Sequence, residues 1–512
     1  MPLRHWYARG TVHAGAPGVR AVTVTREEWR RVAADVAGAG GRLLSLWAGS
    51  AGHDGRPVHA VFLGGGGGLV VKLPMVPGEP PCPGIDDLFP AASRMQRAVT
   101  DLSGVCFTAA DTRPWLSHAA WPPDFHPLSD APPVADSVAP VTAPYEFVRV
   151  EGDGVHEIAV GPVHAGTIEP GHFRFSVVGE KVLRLEARLG YVHKGIEQRF
   201  TQLPILEGHR LAARVSGDSA VAFSWAYCQA LEGIAATQLP PRAAWLRALY
   251  LEQERVANHL GDLGALGNDA GFAFGLAQFS RLKEQLLRMN QEVFGERYLL
   301  GAVVPGGTRL DLTPSGAVLL HETLTELDCE VLRLRTIYDE HAGVRDRFSG
   351  AGTVDAKLAR RLGLDGLPGR ASGQSYDLRV DLPCEPYGQL SPMKIVRAEG
   401  DVAARVALRF DELRESFRLM HRLLTELPDG SHQCAVRVPP ETAVGAGLIE
   451  GWRGPVWVLL EAGHAGTIRR CHPHDPSWNN WPALEYAVMD NIVPDFPLIN
   501  KSFNLSYSGH DL

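Results

Sequence analysis

Six short polar motifs lie inside otherwise apolar stretches of the sequence, and they bring together imidazole, guanidinium and carboxylate groups. They are GPVH (161–164), EPGHFR (169–174), GYVHKGIE (190–197), RASG (370–373), YDLR (376–379) and DPSW (475–478). Side chains of these types can donate hydrogen bonds or protons to a bound group. Taken singly, each motif is more typical of a turn or of a buried polar group that has its partner. Their meaning therefore depends on whether the fold brings them together.

The common catalytic signatures are absent from the sequence. It contains no GxxxxGK[ST] phosphate loop, no HExxH zinc motif and no GxSxG nucleophile turn. The seven cysteines are at least 24 residues apart, so no CxxC pair exists for a zinc ribbon, a redox dithiol or a local iron–sulfur cluster. An odd and sparse set of cysteines indicates reduced thiols in a cytosolic protein.

Three other stretches are weaker candidates. The glycines at 64–68 are not followed by Lys-Ser/Thr, so they predict a hairpin turn instead of a phosphate loop. The GAG at 445–447 has Glu450 where a dinucleotide fingerprint needs glycine. The CHPHD stretch at 471–475 could be a metal cluster, but two histidines around one proline favour a surface loop.

Composition limits the classes of protein to consider. The 512 residues are 45% hydrophobic and 21% charged, which predicts a folded globular chain. Fifty basic residues against 58 acidic ones give a net charge of -8, so no global basic field would hold nucleic acid. The longest apolar stretches are about half the roughly 20 residues of a membrane span. We therefore expect a soluble chain that meets a membrane only through partners.

The pattern along the chain predicts an α+β protein with two domains. Residues 1–130 indicate a small α/β domain with strands at 43–47, 58–63 and 69–73, and a helix capped by Thr25 and Glu28. Residues 131–150 are rich in Pro, Ala, Ser and Asp and predict a linker.

Residues 151–512 predict a larger domain. It opens on a β-hairpin with strands at 155–163 and 173–186. An antiparallel helical bundle follows, with helices near 241–263, 278–294, 315–346 and 401–427. A small β portion with strands at 456–461 and 467–471 and Pro-rich loops ends the chain.

Residues 155–512 resemble the hydrogenase-derived large subunit shared by respiratory complex I and the group 4 nickel–iron hydrogenases. That family opens its hairpin on GPxH, begins its helical core on GY[VL]HxGxE and carries RASGxxYDxR later, as at 161–164, 190–197 and 370–379 here. The stretch from Glu254 to Leu260 is similar to the family's ExxRxxxHL helix with the spacing altered by one. Residues 89–107 resemble the neighbouring small complex I subunit, and this fused arrangement is typical of formate hydrogenlyase-type large subunits.

The resemblance implies that the nickel–iron site has been lost. The family's cluster needs four thiolates in two CxxC pairs, because soft anionic sulfur holds nickel and bridges to iron. The matching positions are Ser216, Ser219, Ser506 and Gly509. A serine hydroxyl is not ionised at neutral pH and cannot replace a thiolate, so we expect vestigial metal positions and no metal. Because the chain stops at Leu512, we also expect no C-terminal processing of the hydrogenase kind.

The resemblance further implies a polar cavity in the vacated space. Complex I uses this space for quinone and places a tyrosine after the first lost cysteine, where this chain has Gly217. Asp377 is expected to pair with Arg174 or Arg214. The predicted cavity residues are His164, His172, Arg174, Ser216, Gly217, Asp218, Ser219, Asp377 and Arg379.

Two functions are compatible with these features. The first is an oxidoreductase subunit that passes electrons from a partner's iron–sulfur cluster to a quinone or similar carrier. The second is a non-redox scaffold that couples the iron–sulfur subunit to a proton-translocating membrane arm. The expected partners are an iron–sulfur small subunit of the complex I type, a ferredoxin-like iron–sulfur subunit, and quinone-module and antiporter-like membrane subunits, with no nucleic acid. We expect no cofactor bound by this chain itself, and a peripheral position on the cytoplasmic side of the cell membrane.

Overall fold

The computed structural model describes residues 3–52, 55–76, 78–117, 121–122, 125–129, 145–163 and 168–512. Helices and several small sheets alternate along the chain, which confirms the predicted α+β class. Within these ranges, no helix has both the length and the apolar character that a membrane crossing requires. His164, one of the predicted cavity residues, lies outside the described residues.

The N-terminal part is built around a five-stranded sheet in the order β1-β2-β5-β4-β3, in which only β2 and β5 run parallel. The capping box at Thr25 and Glu28 is present, as predicted. The glycine run forms the β4–β5 turn, with Gly65 and Gly66 at positive φ. The elements are α1 (Arg4–Arg9), β1 (Thr11–Val12), β2 (Val19–Thr23), α2 (Arg26–Gly38), β3 (Arg42–Ala48), β4 (Val58–Gly64), β5 (Gly67–Leu73), β6 (Cys82–Pro83), α3 (Ala92–Ser103) and β7 (Phe107–Thr108).

A three-stranded antiparallel sheet follows, with strands β8 (Val155–Val160), β9 (His172–Val178) and β10 (Lys181–Arg188) in the order β10-β9-β8. The prediction of a single strand over 173–186 is wrong. Gly179 takes a positive φ of 59° and turns the chain between β9 and β10. The predicted hairpin therefore gains a third strand.

The helical part is centred on the long helix α7, which packs against α6, α8 and α15. The prediction of one helix over 315–346 is wrong, because His341 is extended (φ -76°, ψ 103°) and its Nδ1 accepts the Val344 amide as the cap of a new helix. The elements are α4 (Ile196–Phe200), α5 (Gly208–Ala212), α6 (Ala220–Ile234), α7 (Pro241–Asp269), α8 (Ala273–Phe294), β11 (Val303–Val304), β12 (Gly307–Thr308), α9 (Pro314–Glu340), α10 (Ala342–Phe348), α11 (Ala356–Leu362), α12 (Gly366–Ala371), α13 (Leu378–Asp381), α14 (Tyr387–Leu390) and α15 (Val402–Thr425).

The C-terminal part begins with the antiparallel sheet β13 (Val444–Glu450), β14 (Pro455–Ala462) and β15 (Ile468–His474). Helices α16 (Ser477–Ala487), α17 (Phe496–Phe503) and α18 (Tyr507–Asp511) then replace the predicted loops. The surface loop predicted at 471–475 is also wrong. This stretch ends β15 and is buried, because β15 pairs with β14 and lies beneath the N-terminal part.

The GAG stretch at 445–447 lies in β13, which packs on α6. A Cβ placed on Gly447 would lie 1.8 Å from the Ala226 carbonyl oxygen of α6. Gly447 thus allows the strand and the helix to pack closely, and this packing explains the glycine without a bound nucleotide.

Candidate functional site

The four positions matched to metal ligands converge where the loop before α6 meets the end of the chain. The Oγ atoms of Ser216 and Ser506 lie 2.8 Å apart. Ser506 is the N-cap of α18, and its Oγ accepts the Gly509 amide at 2.9 Å. Ser219 stands at the N-cap position of α6. The fold therefore brings together positions that are 290 residues apart in the sequence.

An ion pair fills the centre between these positions. The Asp218 carboxylate binds Arg453 through two contacts, Nη1 to Oδ1 at 2.6 Å and Nη2 to Oδ2 at 2.5 Å. The Ser216 hydroxyl donates a third hydrogen bond to Asp218 Oδ1 at 2.7 Å. Burial alone would raise the pKa of Asp218, but Arg453 and the Ser216 hydroxyl outweigh it, so this pKa lies below its ordinary value. The centre is charged but compensated.

The space beside the fourth position is also occupied. A Cβ placed on Gly509 would lie 2.6 Å from Asp475 Oδ2. Asp475 is buried, its Oδ2 has no hydrogen-bond partner among the described residues, and burial raises its pKa. Within the described ranges, no group of three or more His, Cys, Asp or Glu side chains is arranged to hold a metal ion. A thiolate at position 509 would collide with Asp475, so these residues do not fit the family's cluster.

An open cleft of about 400 Å³ lies beside this centre, and we call it the polar cleft. Its walls include Ser216, Asp218 and Ser506 together with Lys283 on α8 and Lys501 on α17. A Cβ placed on Gly217, which also lines the cleft, would meet no heavy atom within 4 Å. Position 217 therefore faces open space in the cleft.

A second cavity of about 180 Å³ adjoins the polar cleft, and we call it the side chamber. Gly217, Asp218, Asn258 and Lys283 line both spaces. The chamber's remaining wall combines apolar, polar and charged residues of α7, α8 and the loop after α8, namely Gln253, Glu254, Ala257, Leu287, Asn290, Arg297, Tyr298 and Leu299.

Comparisons with known proteins show which sequences this chain is similar to. A family model described as the respiratory-chain NADH dehydrogenase 49 Kd subunit matches residues 269–448. Formate hydrogenlyase subunit 5 of Escherichia coli K12 is 31% identical over 452 residues, which cover 86% of this chain and 79% of that protein. The C/D fusion protein of the NADH-quinone oxidoreductase of Bacteroides fragilis is 27% identical over 417 residues, or 77% of this chain and 78% of that protein.

The fold has a counterpart among solved structures. A chain of the membrane-bound sulfane sulfur reductase, an archaeal respiratory membrane complex, superposes with a TM-score of 0.66 at 24% identity, over 70% of this chain and 99% of that one. The sequence relatives settle the family. The chain belongs to the family of large subunits that formate hydrogenlyase and complex I share. It is thus a subunit of a complex I-like or hydrogenase-related assembly.

Not every residue predicted for the cavity of this family member lines the polar cleft. His172 lies in β9, where its Nδ1 is 3.1 Å from the Gly161 carbonyl oxygen and its ring packs on Phe147. Arg174 forms an ion pair with Glu157 on β8. Ser219 is buried behind Asp218. The loop that reaches the cleft from this sheet carries Ile168 and Glu169 instead.

Asp377 and Arg379 belong to a separate buried cluster of charges. The expected partner of Asp377, Arg174 or Arg214, is wrong: Asp377 binds Arg379, with Nη2 to Oδ2 at 2.8 Å and Nε to Oδ1 at 3.1 Å. Arg379 also contacts Glu252 on α7 at 3.2 Å. The cluster holds its charges in pairs within the helical part, away from the polar cleft.

The match to the family's ExxRxxxHL helix, predicted to begin at Glu254, begins at Glu252 instead. Counted from Glu252, the residues Arg255, His259 and Leu260 follow ExxRxxxHL with no change of spacing. The structure supports this register, because Glu252 pairs with Arg255 at 3.2 Å. Glu254, the motif's glutamate in the predicted register, instead faces the side chamber.

Several residues of the site were not predicted from the sequence. Arg453 could have been noticed as a single cation in the GWRGP stretch between two apolar runs. Lys283, Lys501 and Gln253 sit on helices among ordinary surface-type residues, and only the packing of α7, α8 and α17 shows where they point. None of these three residues stands in a sequence motif of recognisable spacing.

Proposed function

We propose that this subunit passes electrons from a partner's iron–sulfur cluster to a quinone or similar carrier that enters the polar cleft, and that it does so without a nickel–iron site. The observation that carries this proposal is the open space at Gly217, next to the converged ligand positions. Electrons can tunnel to a carrier held here only if the partner's cluster lies close to this end of the bundle. The relatives named as part of an NADH-quinone oxidoreductase support a carrier of this chemical class.

The chain's own groups suit a carrier whose oxygens gain negative charge on reduction. Lys283 and Lys501 line the polar cleft, and two of its acidic residues, Asp218 and Asp262, are already paired with Arg453 and Arg409. Positive charge placed where negative charge develops stabilises the transition state, and most strongly in a site that excludes water. Arg453 is already bound to Asp218, so the lysines are the cations we assign to the carrier.

The loss of the nickel–iron site rests on two features. Ser216, Ser219 and Ser506 offer hydroxyls where thiolates are needed, and Asp475 occupies the space that a side chain at Gly509 would take. We expect the assembled complex to contain no stoichiometric nickel by elemental analysis after chelator treatment. We also expect a variant with cysteines at all four positions to remain nickel-free, because Asp218, Arg453 and Asp475 still fill the centre. Stoichiometric nickel in the wild type would refute the assignment.

A second function is favoured by the same filled centre. A scaffold that only couples the iron–sulfur subunit to a proton-translocating membrane arm needs no room for a carrier, and the Asp218–Arg453 pair could hold the former site closed. Under this function the polar cleft is a solvent-filled remnant. The two functions differ in whether blocking the cleft matters.

Substituting Gly217 by Phe tests the difference directly. The new side chain enters open space, so we expect the complex to assemble normally. If a carrier uses the cleft, its reduction by the assembled complex falls at least about tenfold, equivalent to roughly 1.4 kcal/mol. Gly38→Phe is the matched control, since a Cβ there also meets nothing within 4 Å and Gly38 ends α2 in the N-terminal part. Carrier reduction at the wild-type rate in Gly217→Phe would leave the scaffold function standing.

The proposed partners follow from the proposed reaction. Electrons need a donor subunit with iron–sulfur clusters, of the complex I small-subunit and ferredoxin-like types, and a quinone needs a membrane-arm module beside the cleft. We propose that these partners hold the chain at the cytoplasmic face of the membrane. Co-purification of a tagged chain, with identification of the bound subunits by mass spectrometry, tests the assignment; a chain that purifies alone from gently solubilised membranes would contradict it.

A further inference from the structure

Buried polar atoms without partners mark the side chamber. Gln253 is fully buried on α7, and neither its Nε2 nor its Oε1 has a hydrogen-bond partner among the described residues. Asn290 on α8 is 2% exposed, and its Oδ1 is also unpartnered. A buried polar group left unpaired costs about 1–3 kcal/mol. Both side chains line the chamber, so a bound group there could supply the missing partners.

The size and walls of the side chamber suit a single flat ring. Its volume is about 180 Å³. For comparison, a cavity of about 150 Å³ holds benzene. Ala257, Leu287 and Leu299 supply apolar surface for the ring faces, while the amides of Gln253 and Asn290 can meet polar substituents at its edge. The combination indicates a ring that carries carbonyl or hydroxyl oxygens.

Glu254 places an acid in the same chamber. Its Oε2 accepts the Val221 amide at 2.6 Å, and its Oε1 accepts the Ala222 amide at a longer 3.3 Å, at the start of α6. Burial, with a smaller contribution from the nearby Asp218, raises the pKa of Glu254 to about 8 against the opposing effects of the two amides and of Arg255. The carboxyl therefore carries a proton at neutral pH.

Most of the charged groups around Glu254 form ion pairs with other residues. From the loop before α6, Asp218 faces it but is paired with Arg453. On its own helix, Arg255 is held by Glu252. The groups from α8 and the loop beyond it are Lys283, Arg297, which is paired with Glu284, and the phenol of Tyr298.

We infer, on the basis of the proposed function, that the carrier's ring binds in the side chamber between α7 and α8, that Gln253 and Asn290 orient its oxygens, and that Glu254 protonates one of them. Gln253 Nε2 donates to a carbonyl oxygen of the oxidised ring, whereas Gln253 Oε1 and Asn290 Oδ1 accept from hydroxyls of the reduced ring. Two electrons come from the partner's iron–sulfur cluster. One proton comes from Glu254 and the second from water in the polar cleft, which also reprotonates Glu254.

The test uses the assembled complex with reduced viologen as electron donor and tetramethyl-1,4-benzoquinone as probe, after subtraction of the rate without complex. We expect Gln253→Leu to raise both the KM and the Kd from equilibrium dialysis at least tenfold. We expect Glu254→Gln to keep the Kd and lower kcat at least tenfold. The wild-type rate should fall as the pH rises through about 8, because the donor loses its proton, and the Glu254→Gln profile should lack this step.

Gln291→Leu on the exposed side of α8 removes an amide outside both cavities and is the control. An unchanged Kd in Gln253→Leu, or an unchanged pH step in Glu254→Gln, overturns the inference. In either case, carrier reduction by the wild type still upholds the proposed function. A wild type that reduces no probe overturns both. If Glu254→Gln does not assemble, Glu254→Asp and the Gln253→Leu dialysis decide, since a shorter acid moves the pH of the step only if residue 254 is the donor; an unmoved step overturns the inference.

Discussion

Asp377 and Arg379 are two residues apart and wholly buried, and each is the other's main partner. Removing one member of a buried ion pair leaves an uncompensated charge, which costs about 3–5 kcal/mol. Among the described residues, Arg379 would keep only Glu252 as an ion-pair partner, at 3.2 Å. We therefore expect Asp377→Ala to lower the free energy of unfolding by about that amount, as measured by denaturant titration of the full-length chain.

Lys181→Ala is the control for this substitution. Asp490 forms an ion pair with Lys181 in which both side chains are more than half exposed, and such surface pairs contribute about 0–1 kcal/mol. Equal small losses in the two variants would show that Asp377 is not held in a buried pair.

At the residue scale, the sequence predicted which positions match the family's metal ligands, but not which side chains surround them. Ser216, Ser219, Ser506 and Gly509 could be placed because each stands in a motif of fixed spacing. The partner of Asp218 could not, since Arg453 is 235 residues away and reaches it only through the turn between β13 and β14. Spacing within one motif carries no information about which distant cation folds against it.

At the scale of elements, the contact between β13 and α6 allows no side chain at Gly447. A Cβ there would lie 1.8 Å from the Ala226 carbonyl oxygen, and backbone atoms of a buried helix cannot move aside cheaply. We expect Gly447→Ala to lower the free energy of unfolding by at least about 1–3 kcal/mol.

Gly38→Ala, at an exposed position near the end of α2, serves as the control and should change stability little or raise it slightly. Denaturant titration of both variants checks the prediction. A Gly447→Ala chain as stable as the wild type would mean that the strand and helix are not in this close contact.

Element boundaries were predicted where local signals are strong and missed where tertiary packing decides. The capping box at Thr25 and the Pro241 start of α7 are local signals, and both were right. The strand over 173–186 was wrong because its turn rests on Gly179 alone. The stretch at 471–475 was predicted as a surface loop because two histidines around one proline favour one, whereas pairing with β14 and burial beneath the N-terminal part make residues 471–474 the end of a strand.

At the scale of the whole molecule, the N-terminal sheet is joined to the rest of the chain through buried contacts. Arg42 pairs with Asp365 at 2.6 Å, and Ser45 Oγ lies 2.9 Å from His472 Nε2. Trp47 stacks on His472 with ring centroids 4.8 Å apart, and it is 1% exposed. An interface with buried charges and a buried tryptophan is expected to behave as core and not as a loose contact between domains.

We therefore expect the two parts of the chain to stay together when the covalent connection is cut. A protease recognition sequence is inserted in the predicted linker, between residues 131 and 144, and the purified chain is treated with the protease under native conditions. The fragments should then co-elute in size-exclusion chromatography and unfold in one calorimetric transition, because exposing Trp47 and the Arg42–Asp365 pair would cost more than the gain in freedom. Arg42→Ala should loosen the association by leaving Asp365 buried without its cation. Fragments that separate after cleavage, with wild-type residues at the interface, would show that the linker alone holds the N-terminal part in place.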